Sequence, residues 1–209
     1  MTQRLPLTRV ARLALAASVA ACAPSEQFDV LVRGGTVIDG TGSPAVQADL
    51  GIRGDEIATV GDLSGAEATI VVDATGLTVA PGFIDMHSHS DRTLLVDGRA
   101  LSKVHQGVTT ELVGESGSVA PVLGDRGDDV EWTTFAEYFE RIEQSGISVN
   151  LMTTVASGTL RGGVVGYDDV PATPEQLAAM KAHVRQAMED GAWGVSSGLI
   201  YVPDRFSRT

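Results

Sequence analysis

Apolar positions in this chain follow two rhythms. Between Phe28 and Ala80 they come in short β-rich runs broken by Gly and Asp. These runs predict strands at Phe28–Arg33, Thr36–Ile38, Asp49–Arg53, Glu56–Val60, Thr69–Asp73 and Leu77–Ala80, with turns at Gly34-Gly35, Gly54-Asp55 and Thr75-Gly76. Short strands joined by tight turns predict a β-meander without helices. After Pro81 strand and helix signals alternate, which predicts parallel βα units. Leu77 to Met86 reads as an apolar strand that crosses a Pro-Gly turn and continues, and Val108–Val113 reads as the next strand after a weak helix over Leu94 to Gln106. Thr134 and Glu137 form a capping box for a helix with Phe135, Tyr138, Phe139 and Ile142 on one side, stopped at Gly146. Val149–Val155 is a further strand, and Thr173-Pro174-Glu175 opens a helix with Leu177, Met180, Lys181, Val184 and Met188 at helical spacing before Gly191. A last strand begins over Gly194–Ser197.

The first residues break both rhythms. Met1 to Arg12 carries Arg4, Arg9 and Arg12 with no acid, and Leu13 to Ala21 is short, apolar and Ala-rich. This is the pattern of a secretory signal peptide, too short to persist as a membrane-spanning helix. It ends at Val19-Ala20-Ala21-Cys22, which resembles a bacterial lipobox and predicts a lipid on Cys22, the single cysteine. One cysteine also excludes an intrachain disulfide. Cleavage before Cys22 removes three arginines and no acid, taking the formal charge from −12 to −15. Such an acidic surface repels phosphate backbones and disfavours nucleic acid as a partner. The expected organisation is a signal peptide over 1–21, a linker over 22–27, a β-rich segment over 28–80 and a βα segment over 81–209.

The chemistry concentrates in Asp85-Met86-His87-Ser88-His89, delivered by an apolar strand. Alternate residues of a strand share a face, so His87 and His89 should point the same way together with Asp85, and Ile84, Met86 and Ser88 the other way. Two adjacent imidazoles can hold one divalent ion, and imidazole suits zinc. The other two histidines, His105 and His183, fall on predicted helices without partners at ligand spacing. Asp125-Arg126-Gly127-Asp128-Asp129 is loosely like a calcium loop but lacks its twelfth-position Glu, and reads as a solvated turn.

The run Gly82-Phe83-Ile84-Asp85-Met86-His87-Ser88-His89 resembles the first barrel strand of the amidohydrolase superfamily of metal-dependent hydrolases. Within it the chain is most similar to the N-acyl-D-amino-acid deacylases (D-aminoacylases). Asp29 to Gly42, Gln106-Gly107-Val108-Thr109-Thr110 and Gly198-Leu199-Ile200-Tyr201-Val202-Pro203 carry that narrower likeness. The resemblance implies an α/β fold: the first half of a TIM-like (β/α)8 barrel over 81–209, preceded by part of a small β-sandwich over 28–80. It implies hydrolysis of non-peptide C–N bonds, a small-molecule N-acyl amino acid as substrate and one or two divalent ions, zinc first among them. Barrel active sites form where the strands end, so Glu115, just past the second barrel strand, is the carboxylate chosen as a further metal ligand or bridge after His87 and His89. D-aminoacylases carry Asn-Cys where this chain has Glu115-Ser116, so their thiolate bridge is lost, and a hydroxyl is a poor zinc ligand. Glu111, deeper on the same strand, is the weaker carboxylate candidate. Ser197 and Tyr201 match a segment that lines the substrate pocket. Two further histidines and a catalytic Asp belong to later strands, and none can be placed here. About 250 residues build a whole barrel, whereas 129 follow Ala80, so the chain is expected to be a fragment, inactive as it stands. The runner-up chemistry is a dihydroorotase- or hydantoinase-like cyclic-amide hydrolase, which shares the His pair.

Overall fold

The computed structural model describes residues 26–124 and 130–208. Residues 1–25, with the leader, Cys22 and most of the expected linker, and the Asp125–Asp129 turn lie outside the described residues, and Gln27, expected in the linker, already opens the first strand. The chain is mixed α/β and divides into two compact units between Ala80 and Pro81.

The first unit is a five-stranded sheet of β1 (Gln27–Val37), β2 (Val46–Arg53), β3 (Glu56–Gly61), β4 (Glu67–Asp73) and β5 (Thr78–Val79). The order is β3-β2-β1-β4, with β5 on the far half of β1. The predicted turn at Gly34-Gly35 is a bulge inside one long strand, because the β1–β2 register shifts between Val32 and Gly35. Gly34 adopts φ +68°, and a Cβ on Gly35 would stand 2.6 Å from Val79 Cγ2. The bulge bends β1 so that its first half pairs with β4 and its second with β5, both in parallel. The predicted meander therefore holds only for β1 to β3, since β4 bypasses β3 and crosses to β1. Phe28, Leu31, Leu63 and Ala66 form the core. Gly51 leaves the space that the Phe28 ring occupies, where a Cβ would lie 2.3 Å from Cε1.

The second unit carries a parallel sheet of β6 (Phe83–Asp85), β7 (Val108–Val113) and β8 (Asn150–Thr153), with β9 (Val155–Ala156) and β10 (Val195–Ser196) paired in parallel beside it. Its helices are α1 (Leu101–Val104), α2 (Phe135–Ser145), α3 (Ser157–Val164) and α4 (Pro174–Glu189). The capping boxes at Thr134 and Thr173 are both present. Phe135, Tyr138 and Ile142 of α2 are buried with Trp132, Val155 and Leu160 in the main core.

Further expectations fail, among them the continuous strand over Leu77 to Met86, which splits into β5 and β6. The helix over Leu94–Gln106 reduces to a 3-10 turn at Thr93–Leu95 and the four residues of α1. Gly98 interrupts it, packed so tightly that a Cβ would meet Gly146 O at 2.0 Å. On α4 only Met180 and Val184 of the predicted face pack on the core, around buried Ala187, while Leu177, Lys181 and Met188 are exposed. The strand over Val149–Val155 breaks at Thr154, whose N–H turns to Val113 O. α3 was not foreseen, because Ser-Gly-Thr-Leu-Arg-Gly-Gly-Val has the composition of a loop. Its glycines serve packing: a Cβ on Gly163 would overlap Leu123 Cβ at 2.3 Å.

Candidate metal centre

β6 ends at Asp85, and the chain bends through His87-Ser88-His89 just beyond the sheet. Two backbone contacts fix the bend: the His87 N–H donates to Asp85 Oδ1 at 3.1 Å, and the Ser88 N–H donates to Leu112 O of β7 at 2.9 Å. The two imidazoles lie on one side with ring centroids 5.1 Å apart and planes at 80°. Ser88 points the opposite way and is buried.

Asp85 does not join the imidazole side. Strand parity ends where the strand ends, and the Asp85 carboxylate turns to Lys103 of α1, whose Nζ donates to Oδ2 at 2.5 Å. That bond, with the His87 N–H second, holds the Asp85 carboxyl below the usual range. The same partner raises the Lys103 ammonium above its ordinary value.

Glu115 follows β7 by way of Val113 and Gly114. Gly114 has φ +90°, and a Cβ there would stand 2.2 Å from Thr154 O. This sharp exit carries the Glu115 carboxylate against Nδ1 of His87. The His87 side chain is 64% exposed and that of Glu115 32%, so the contact is open to solvent. Two imidazoles and a carboxylate form a nitrogen–oxygen donor set suited to zinc. The fit is one of kind: among the described residues no group of three or more His, Cys, Asp or Glu side chains already converges on an ion position. Glu115 and His87 are paired with each other where an ion would take both.

Glu111 behaves differently. It is wholly buried on β7 opposite Asp85, and its Oε2 accepts from the hydroxyls of both Ser88 and Ser90. It faces away from the imidazoles, which disqualifies it as a third ligand beside them. His105 is exposed at the end of α1, and His183 lines a small cavity between α4 and the Pro121–Leu123 loop. Neither approaches the pair.

Ser197 is exposed after β10. Tyr201 borders a cavity of about 70 Å³ with Ser116, Gly198 and Asp204, and Ser197 does not line it. Asp204, 3% exposed, accepts from the Gly198 N–H and the Ser157 hydroxyl, both at 2.7 Å, and so fixes this wall. Ser88, Ser90, Lys103 and Asp204 were not singled out from the sequence. Only Ser88 carried a signal, its parity opposite to the histidines.

A profile of the amidohydrolase family matches residues 70–201. The chain is 43% identical over 190 residues to a D-aminoacylase of Alcaligenes xylosoxydans xylosoxydans, covering 86% of this chain and 39% of that protein. An N-acyl-D-aspartate deacylase of the same organism is 38% identical over 188 residues, with coverages of 85% and 38%. Among solved structures, the N-acyl-D-glutamate deacylase of Bordetella bronchiseptica, complexed with zinc and a phosphonate mimic of the tetrahedral intermediate, superposes with TM-score 0.82 at 33% identity, covering 88% of this chain and 41% of that one. A D-aminoacylase with a binuclear metal centre superposes with TM-score 0.79 at 38% identity, with coverages of 87% and 40%. The chain thus spans about two fifths of the length of these relatives.

Proposed function

Given that this chain belongs to the amidohydrolase family, we propose that it carries the first metal ligands of a hydrolase that deacylates N-acyl-D-amino acids. The observation that carries the reading is the meeting of two elements: His87 and His89 at the end of β6, and Glu115, brought to His87 by the exit of β7. Active sites of (β/α)8 barrels form where parallel strands end. In this reading β6, β7, β8 and the β9–β10 pair are the opening strands of such a barrel, and the β1–β5 sheet is part of a flanking β-sandwich.

His87, His89 and Glu115 would hold a divalent ion, zinc by the chemistry of the donors. When bound, it supplies Lewis-acid polarisation of an amide carbonyl and acidifies water at neutral pH. The protein's own task here is positioning. The bend after Asp85 aims both imidazoles outward, Gly114 aims the carboxylate, and Tyr138 ties the following turn by donating to Asp91 O at 2.7 Å. Ser197 and Tyr201 are assigned to the substrate side, with Tyr201 on the wall that Asp204 fixes. The names of the similar proteins support an N-acyl-D-amino acid as substrate. Hydrolysis of N-acetyl-D-amino acids, their L enantiomers and hydantoins by the zinc-supplemented full-length protein tests the reading. Turnover of the D substrates is expected, and activity confined to hydantoins would overturn it.

Location is a separate proposal. The basic start, the apolar run and the small residues before Cys22 support export and a lipid tether. No helix among the described residues is long and apolar enough to cross a membrane. Replacing Cys22 by Ser should move the protein from the membrane to the soluble fraction, and an unchanged distribution argues against the lipid.

A further inference from the structure

The side of the His-Ser-His bend away from the imidazoles is a small charged cluster that metal ligation alone does not use. Ser88 stands between the two histidines and sends its hydroxyl inward to Glu111 Oε2. Lys103 Nζ donates to the same hydroxyl at 3.2 Å and to Asp85 at 2.5 Å, and lies 3.4 Å from Glu111 Oε2. Ser90, one residue past His89, adds a second hydroxyl to Glu111. Asp85, two residues before the first imidazole, Ser88 between the two and Ser90 after the second are therefore all tied to one Lys–Glu pair.

Burying a carboxylate is costly unless it is paired and hydrogen-bonded. Glu111 is wholly buried, yet one oxygen takes every contact, and Oε1 has no partner among the described residues. An apolar residue at this strand position would cost less. What the buried charge does, through Oε2, is fix the two hydroxyls that flank His89.

We propose that Lys103 and Glu111 are positioning residues for the metal centre, a buried clamp that grips Ser88 and Ser90 and thereby sets the direction of the His87 and His89 rings. The proposal rests on the reading of His87 and His89 as ligands. Neither clamp residue would touch the ion. Groups that orient metal ligands from outside typically change affinity by ~10–100-fold when lost.

The test is cobalt binding by the full-length protein, followed by chelator competition and by the visible absorption bands of bound Co2+, alongside thermal unfolding of the metal-free protein. Ser88→Ala and Glu111→Gln should each weaken cobalt binding by ~10–100-fold and shift the bands. Lys103→Met leaves Asp85 and Glu111 without their counter-charge and should lower the unfolding temperature. In Lys103→Met/Glu111→Gln one of those uncompensated charges is gone, so unfolding temperature should recover while cobalt affinity does not. Ile142→Val, in the core of α2, supplies a destabilised control whose cobalt affinity and spectrum should match the parent. If Ser88→Ala and Glu111→Gln match the parent in affinity and spectrum, or if affinity merely follows unfolding temperature across all variants, the clamp is refuted. A full-length parent protein that takes up no cobalt refutes the ligand assignment, and the clamp with it, so the two failures are distinct.

Discussion

Gly114→Ala probes the joint between the fold and the candidate site. Gly114 has φ +90°, a conformation that costs an L residue about 1–2 kcal/mol. The added Cβ would also lie 2.2 Å from Thr154 O, 2.8 Å from Thr153 Oγ1 and 3.0 Å from Thr154 N. That backbone has little room to retreat. The Thr154 N–H donates to Val113 O at 3.0 Å, and Thr153 O accepts from the Trp193 N–H at 2.8 Å, so moving either breaks a bond between elements. Overpacking of this kind costs about 1–3 kcal/mol. With the backbone strain, the loss of stability should be about 2–5 kcal/mol. Glu115, the next residue, should lose its place against His87, so metal affinity should fall as well. Denaturant unfolding measures the first effect and chelator competition the second. Gly117→Ala is the comparison, since its Cβ would meet nothing within 4 Å, and it should stay within about 0.5 kcal/mol of the parent. A Gly114→Ala protein equally close to the parent would sink the account of how β7 delivers Glu115.

Other perturbations reach separate parts of the argument. His87→Ala and His89→Ala should each weaken zinc affinity by more than the roughly 10–100-fold that losing an outer partner costs, whereas Glu115→Gln should weaken a second ion more than the first and His183→Ala should change nothing; chelator competition with elemental analysis of the four proteins decides. Tyr138→Phe removes a buried hydroxyl that donates to Asp91 O and should cost about 1 kcal/mol in denaturant unfolding, with no loss contradicting the tie. Glu137 caps α2, and its bonds to the Thr133 hydroxyl first, then to the Thr133 and Thr134 N–H groups, lower its carboxyl from 4.5 to about 2. A depressed carboxyl contributes stability above its unfolded value that is lost as pH falls through the folded one. The α2 cap should therefore weaken between pH 4.5 and about 2, and Glu137→Gln should flatten that part of the unfolding-temperature profile.

Periodicity carried the elements that bury a single face. The α2 side of Phe135, Tyr138, Phe139 and Ile142 and the hairpin turn at Gly54-Asp55 are both in the structure, because each is decided by neighbours in sequence. Partners far along the chain were not legible. Nothing local tells β4 to leave β3 for β1, and nothing in the α3 composition says that its glycines answer Leu123 and Tyr167. At the site, His87 and His89 stood out by residue type. Asp85 was misplaced because alternation was carried past the last paired residue of β6. Lys103 had no signal at all, since a lysine on a weak helix reads as solvated surface until β6 is seen beside it.

The bulged first strand has a consequence for how the sheet assembles. β1 meets β2 through a local antiparallel hairpin, but its parallel partners come late: Gln27 waits for Glu67, and Thr36 for Thr78. Non-local pairings pay their loop-closure entropy before they return any stability, so they form slowly. During that interval the Ile70-Val71-Val72 run is an unpaired strand of high β propensity and no charge, the composition that recruits other chains. Pulse-labelled hydrogen exchange during refolding should find the β2 and β3 amides protected ahead of those of β4, and simultaneous protection would contradict that order. The glycine pair that lets one strand serve two parallel neighbours thus also leaves the sheet open to strangers until its own chain arrives.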